Sequence, residues 1–239
     1  MSEQSNWLLK CVGPSVWARF EPRARRAQLT RGEVLQQPGD AVDRVYFPEG
    51  ALIGLISAMP AGDTVQTSLI GWDGALGVFE ACGTRQSAFL AEVQVGGPAW
   101  VLGDDDYRRM YEACASLRAA VHKYVEILLT EARQFVACNA LHSVEARLCR
   151  SVLEALDRSR DGRLLPVPQE ALAEMLGVQR TTVNAAIAQL QAAGAVRTGR
   201  GVIEVLDPQA LEHAACCCRE TLRLARAEIY ASDEKVCDD

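Results

Sequence analysis

The sequence predicts an α+β protein in three consecutive parts: an N-terminal β-sandwich or jelly roll, a long helix, and a C-terminal winged helix-turn-helix. Three observations predict it. Over the first hundred or so residues, Gly and Pro recur between short apolar runs, the texture of many strands joined by tight turns. From Leu117 to Cys138, apolar side chains fall on alternating four- and three-residue steps, the seam of a long helix. From Glu170 onward, two helical periods flank Gly177 and are followed by a strand, a glycine-containing turn and a second strand. The corresponding division is 1–115 for the sandwich, 116–142 for the long helix and hinge, 143–230 for the winged helix-turn-helix, and 231–239 for a tail.

A short helix around Val16–Phe20 precedes the sandwich, whose strands are read at Val34–Leu35, Val45–Phe47, Ala51–Ile56, Val65–Ile70, Phe89–Val95 and Trp100–Leu102. The turns at Gln37–Asp40, Pro48–Gly50 and Pro60–Asp63 combine a Pro that presets φ with a Gly or Asp that relieves the tight position. Strand texture stops at Gly103. Asp104, Asp105 and Asp106 then suit a helix N-terminus, where the dipole and free N–H groups favour negative charge. In the long helix that follows, Leu117, Val121, Tyr124, Leu128, Phe135 and Cys138 form the seam, broken only by Glu131. So extended a seam is more apolar surface than a small sandwich covers, so Leu117, Val121, Tyr124, Leu128 and Phe135 are expected to pair two chains as a homodimer. Ser143 is a good N-cap for the next periodic run, Val144, Leu148, Val152 and Leu156, which puts a hinge at Asn139–His142.

The paired helices beyond the hinge carry the chemistry. Leu172, Met175 and Leu176 lie on one face of the first, and Val183, Ile187 and Leu190 on one face of the second, so the six form a small core between them. Gly177 tolerates the positive φ that so abrupt a reversal needs. The remaining face offers Gln179, Arg180, Thr181, Thr182, Asn184 and Ala185 at the start of the second helix, where readers of the DNA major groove place their base contacts. Between Gly177 and Gly201 there is no Asp or Glu, whereas Arg180, Arg197 and Arg200 all fall inside. The net charge of the whole chain is −6, but phosphates are screened beyond about 8 Å at physiological salt and respond to the surface that touches them. The hairpin from Ala195 to Leu206 reads as a wing whose Arg197 and Arg200 reach backbone phosphate. Double-stranded DNA is the partner these residues suit.

Composition bounds the rest. With 239 residues, 49 % of them hydrophobic, the chain can bury two moderate cores. Its longest weakly polar stretch, Ala51–Gly62, is broken by Gly and Pro and too short to cross a bilayer, so no membrane partner is expected. The N-terminus has no basic region leading into an apolar run, and the nine cysteines show no regular framework spacing and no CxxC. Cytoplasmic location with reduced thiols is the expectation. No GxSxG, HExxH or phosphate loop is present, so an enzyme is not expected and no motif requires a cofactor.

The order of sandwich, long helix and winged helix-turn-helix resembles the Crp/Fnr family of bacterial transcription regulators. The segments GEVLQQPGDAVDRVYFPEGAL, GALGVFEACGTRQSAFLAEV, NALHSVEARL, QEALAEMLGVQRTTV and RGVIEVLDPQALEHAACCC carry the resemblance. It implies a sandwich of the cyclic-nucleotide-binding type with a sensory role, a dimer on a palindromic operator, and RNA polymerase as a further partner. In members that bind cyclic nucleotide, the segment resembling Gly74–Gly77 supplies a Glu for the ribose, and the segment resembling Gln86–Ala88 supplies an Arg for the phosphate. Here Ala75 and Gln86 stand at those positions, and a buried phosphate without its cationic partner is not compensated for desolvation. Arg85 is one residue off, on the opposite face of a strand. The effector is therefore expected not to be cyclic AMP. The oxygen-sensing branch uses several N-terminal cysteines, and only Cys11 stands in that region, so an iron–sulfur centre is not expected either. Arg180 matches the family's recognition-helix arginine, while Thr181 and Ala185 replace a Glu and a second Arg, which implies a different operator. Pro168 replaces the usual capping Thr.

Cys216, Cys217, Cys218 and His213 invite comparison with zinc ligands. Successive side chains on a helix diverge by about 100°, and closed zinc sites favour two to four residues between paired cysteines, so no metal ligands are assigned there. Two alternative readings remain: a redox- or metal-responsive regulator that uses its cysteines, and a protein-interaction module that does not bind DNA.

Overall fold

The computed structural model describes residues 5–60, 62, 64–159, 163–199 and 201–231, and has the α+β order that the sequence predicts. Two short helices lead in, α1 (Trp7–Lys10) and α2 (Pro14–Phe20). α1 is a single turn and carries no readable periodicity. Asn6 caps it by accepting from the Leu9 amide, and donates to the carbonyls of Pro48 and Gly74.

The sandwich is built from β1 (Arg25–Leu29), β2 (Val34–Gln36), β3 (Arg44–Pro48), β4 (Leu52–Ala58), β5 (Thr64–Ile70), β6 (Leu90–Val95) and β7 (Gly97–Gly103). One sheet has the order β1-β7-β3, the other β2-β6-β4-β5, and all pairs are antiparallel. Inward residues of both sheets, among them Tyr46, Ile53, Ile70, Val93 and Val101, form one core. β1 was not expected. Its sequence is Arg-Arg-Ala-Gln-Leu, an edge strand whose charges face solvent and whose only partner is β7, seventy residues on.

The segment read as one long helix is two. α3 (Asp104–Ala113) carries the three aspartates in its first turn, and α4 (Ala115–Leu141) begins after Cys114, which is extended and whose sulfur accepts from the Leu117 amide. α4 spans 27 residues, roughly 40 Å. His142 ends it, and Ser143 caps α5 (Val144–Arg158) by accepting from the Ala146 amide, at the expected hinge. The C-terminal part then adds β8 (Leu164–Leu165), α6 (Gln169–Leu176), α7 (Arg180–Ala192), β9 (Val196–Gly199), β10 (Val202–Val205), α8 (Pro208–Ala214) and α9 (Cys218–Ala231). β8 joins the wing to make a three-stranded sheet, β8-β10-β9.

The seam on α4 needs correction. Leu117, Val121 and Tyr124 are buried in the chain's own core together with Phe47, Val78 and Tyr107, and Leu128 packs against the same cluster. Phe135 is half-buried with the Arg150 guanidinium over its ring, 4.4 Å from the centroid. Glu131, which broke the apolar pattern, explains it. It is buried and accepts from Arg158 at 2.8 Å and from Arg226 of α9 at 2.7 Å, while Arg158 also donates to Asp73 of the sandwich at 2.8 Å. α9 runs back along α4 and sets Tyr230 against Trp7, with ring centroids 4.6 Å apart. Leu117, Val121 and Tyr124 of the expected dimer seam are thus taken up by the core of their own chain, whereas Leu128 and Phe135 stay part-exposed at its edge.

Candidate nucleic-acid interface

The reader folds from local signals. α6 ends at Gly177, whose φ of 61° is left-handed and whose amide closes on Ala173 and Glu174. A Cβ there would also crowd the Val65 side chain of β5 at 3.2 Å, so the turn lies against the sandwich. Leu172, Leu176, Val183, Ile187 and Leu190 are buried, and Met175 is partly buried at the edge of the same core. Pro168 occupies the cap of α6 without a side-chain bond, and Gln179 does the same for α7. No side chain caps the start of α7, where the helix dipole favours an anion.

Gln179, Arg180, Thr181, Thr182, Asn184 and Ala185 are all exposed, so burial in the chain's own core claims none of the residues expected to read bases. Arg180 shares a cleft with Thr198, Gly201 and Val202 of the wing. Arg197 lies on β9, opposite Glu204 of β10. Arg200 lies outside the described residues. The acid-free run does not make an acid-free surface: Glu170 of α6 forms an ion pair with Arg180, and Glu204 binds Arg197 at 3.0 Å. Both carboxylates sit just beyond the ends of the run, and only the folded hairpin and helix pair bring them to the arginines.

The sandwich holds a cavity of about 390 Å³ against α4, lined by Leu55, Ile70, Phe79, Phe89 and Leu128 among others. Ala75 lines it; Glu80 and Glu131 are its only charged lining residues. Gln86 is exposed and not part of the lining, and Arg85, in the left-handed region at φ 59°, is held by Asp104. Among the described residues no Lys or Arg lines the cavity, whose polar lining groups include the hydroxyls of Thr67 and Ser68.

The cysteine run divides. Cys216 and Cys218 are buried beside Cys138 and His142, whereas Cys217 is exposed. His213 takes no part: its Nδ1 lies 2.7 Å from the Gln209 carbonyl on its own helix. Cys82 is exposed, and Cys11, Cys114 and Cys149 are buried.

Residues 146–214 match the family of Crp-like helix-turn-helix domains. They form a Crp-like helix-turn-helix domain. Solved structures extend the likeness to the whole architecture. FixK2 of Bradyrhizobium japonicum aligns with a TM-score of 0.69 at 13 % identity, covering 81 % of this chain and 98 % of that one. A Crp/Fnr-family regulator from Eubacterium rectale gives 0.67 at 15 %, covering 89 % and 99 %. The c-di-GMP-responsive global regulator CLP of Xanthomonas campestris gives 0.64 at 14 %, covering 81 % and 99 %. The chain therefore has the Crp/Fnr transcription-regulator fold, with a sandwich of the cyclic-nucleotide-binding type and a Crp-like reader. No curated protein matches the sequence. Among the described residues no helix is long and apolar enough to cross a membrane.

Proposed function

We propose that this chain is a sequence-specific DNA-binding transcription regulator of the Crp/Fnr type, acting in the cytoplasm as a homodimer on a palindromic operator, with RNA polymerase as a downstream partner. The observation that carries the reading is the free polar face of α7 on a Crp-like reader: Arg180, Thr181, Thr182 and Asn184 are exposed at the start of the helix, over a buried apolar core. Arg180 suits the O6 and N7 acceptors of guanine, and Asn184 suits adenine. The wing adds Arg197 for phosphate.

Dimerisation is assigned to a stripe one residue on from the buried seam. Val125, Leu129, Ala132 and Val136 repeat at four, three and four residues along α4, and Leu129 and Val136 are 51 % and 73 % exposed. Val125, Leu129 and Ala132 border the sandwich cavity and Val136 the groove beyond it, so among the described residues the stripe is a coiled-coil register left partly open. Leu129→Glu should convert the dimer to monomers in light scattering; an unchanged mass would remove this stripe from the interface.

The effector proposed is not cyclic AMP. With Ala75 and a largely apolar cavity whose charged lining residues are the carboxylates Glu80 and Glu131, millimolar cyclic AMP should leave the melting temperature and DNA affinity unchanged, because a ligand stabilises in proportion to its binding. Selection of bound sequences from a random duplex pool tests the function as a whole. A palindromic consensus with half-sites about one helical turn apart, roughly 34 Å, is expected; no enrichment over the starting pool would overturn it.

A further inference from the structure

The cysteine run after the wing plays no part in the DNA-reading surface, yet the fold gathers it at the end of α4. Cys138 in the last turn of α4 and His142 at its cap are four residues apart. The link from α8 to α9 is extended at Ala215 and turns at Cys217 into the first turn of α9. Cys216 and Cys218 face α4, with Cys217 turned to solvent. Helical divergence does not separate the three cysteines, because Cys216 and Cys217 are not helical.

The donor atoms of Cys138, His142, Cys216 and Cys218 all lie within 4.8 Å of one another. Cys138 Sγ is 3.5 Å from Cys216 Sγ, and Cys218 Sγ is 3.5 Å from His142 Nδ1. A tetrahedral zinc ion with its usual bond lengths sets sulfur ligands roughly 3.7 Å apart and a sulfur and a nitrogen roughly 3.6 Å apart. We propose that these four side chains form a tetrahedral site for a thiolate-preferring divalent cation, Zn²⁺ first, with Cys138, Cys216 and Cys218 as thiolate ligands and His142 as the fourth through Nδ1. Binding exchanges three thiol protons for the cation and changes no oxidation state.

The surroundings fit that charge. Gln134 Nε2 donates to Cys218 Sγ at 3.0 Å, the kind of outer hydrogen bond that orients and tunes a metal thiolate. Arg147 and Arg150 of α5 are buried and interact electrostatically with Cys138 and Cys216, and their Nε–H groups have no hydrogen-bond partner. Three thiolates and a dication leave one negative charge; Arg150 is paired with Glu154 at 2.8 Å, so Arg147 balances it. A Cys138–Cys216 disulfide would use two of the four groups and leave the convergence of Cys218, His142 and Gln134 without a purpose. The site would fasten the start of α9 to the end of α4, at the hinge between sandwich and reader. It does not depend on DNA binding.

The full chain, with thiols reduced, is titrated with Co²⁺, whose ligand-field and thiolate charge-transfer absorptions report tetrahedral sulfur ligation, and then with Zn²⁺ as competitor. Saturation at one Co²⁺ per chain and displacement by Zn²⁺ are expected. Gln134→Ala should weaken binding about 10- to 100-fold, Cys138→Ser and Cys218→Ser by more, and Cys217→Ser, which removes a sulfur that touches only the outer Nε2 of His142 at 3.8 Å, by less than any of these. Since a cysteine variant can fail to fold, alkylation of the unaltered chain gives a second readout: Zn²⁺ should slow modification of Cys138, Cys216 and Cys218 and leave Cys82 and Cys217 unaffected. Lack of tetrahedral Co²⁺ absorption in the folded, reduced chain, equal alkylation with and without Zn²⁺, or a Cys138–Cys216 disulfide with no metal uptake would overturn the site.

Discussion

Two groups of arginine–carboxylate pairs differ chiefly in burial. On the reader, the Arg180 and Arg197 side chains are 59 % and 68 % exposed in their pairs with Glu170 and Glu204. At the junction of sandwich, α4, α5 and α9, Arg158 holds Asp73 and Glu131, and Arg226 shares Glu131, with no side chain above 15 % exposure. An exposed pair contributes about 0–1 kcal/mol, so a guanine edge or a phosphate can displace the carboxylate at little cost. Removing one partner of a buried pair strands the other charge, at about 3–5 kcal/mol. The same chemistry is therefore exchangeable on the helix-turn-helix, as the proposed DNA contacts require, and a fixed joint beneath it.

The largest effect should come from the joint. Arg158→Met leaves Asp73 and Glu131 facing each other with Arg226 alone, and should cost about 3–5 kcal/mol in denaturant unfolding; a loss below about 1 kcal/mol would erase the contrast. Arg180→Ala should leave stability nearly unchanged and cost about 1–3 kcal/mol of binding per half-site. Arg197→Ala should weaken all duplexes alike and lower the salt slope by about one, as a single phosphate contact does. The smallest effect concerns the interface of sandwich and reader. Burial, and then Glu174 of α6, raise the Glu92 carboxyl above its ordinary 4.5. The folded chain then binds more protons than the unfolded one between those two values, so this contribution is fully present below about 4.5, declines as pH rises through the raised value, and stays lost at neutral pH. Glu92→Gln should flatten that decline in melting temperature against pH; an unchanged profile would show that Glu92 is not responsible.

What could be read from the sequence follows the range of the contacts. The reader was legible because its core closes within about twenty residues, from Leu172 to Leu190, and because Gly177 marks its own turn. The seam on α4 signalled a buried face without saying what buries it. Its exception, Glu131, was the clue that the face turns inward, since a carboxylate there needs Arg158 and Arg226, 27 and 95 residues away. β1 was illegible because its pairing with β7 leaves no apolar pattern of its own. Spacing rules also missed the Cys138–Cys216 convergence, which joins residues 78 positions apart. The acids that cover Arg180 and Arg197 lay just outside the run whose lack of acids drew attention.

The central claim, that α7 reads bases while the wing holds phosphate, is tested most directly by measuring Arg180→Ala and Arg197→Ala on the selected operator and on random duplex DNA. The account predicts that Arg180→Ala loses about 1–3 kcal/mol per half-site on the operator, with relaxed preference at one base position and little loss on random DNA, whereas Arg197→Ala loses the same on both. Equal losses on the two DNAs for Arg180→Ala would contradict it and make Arg180 a phosphate contact.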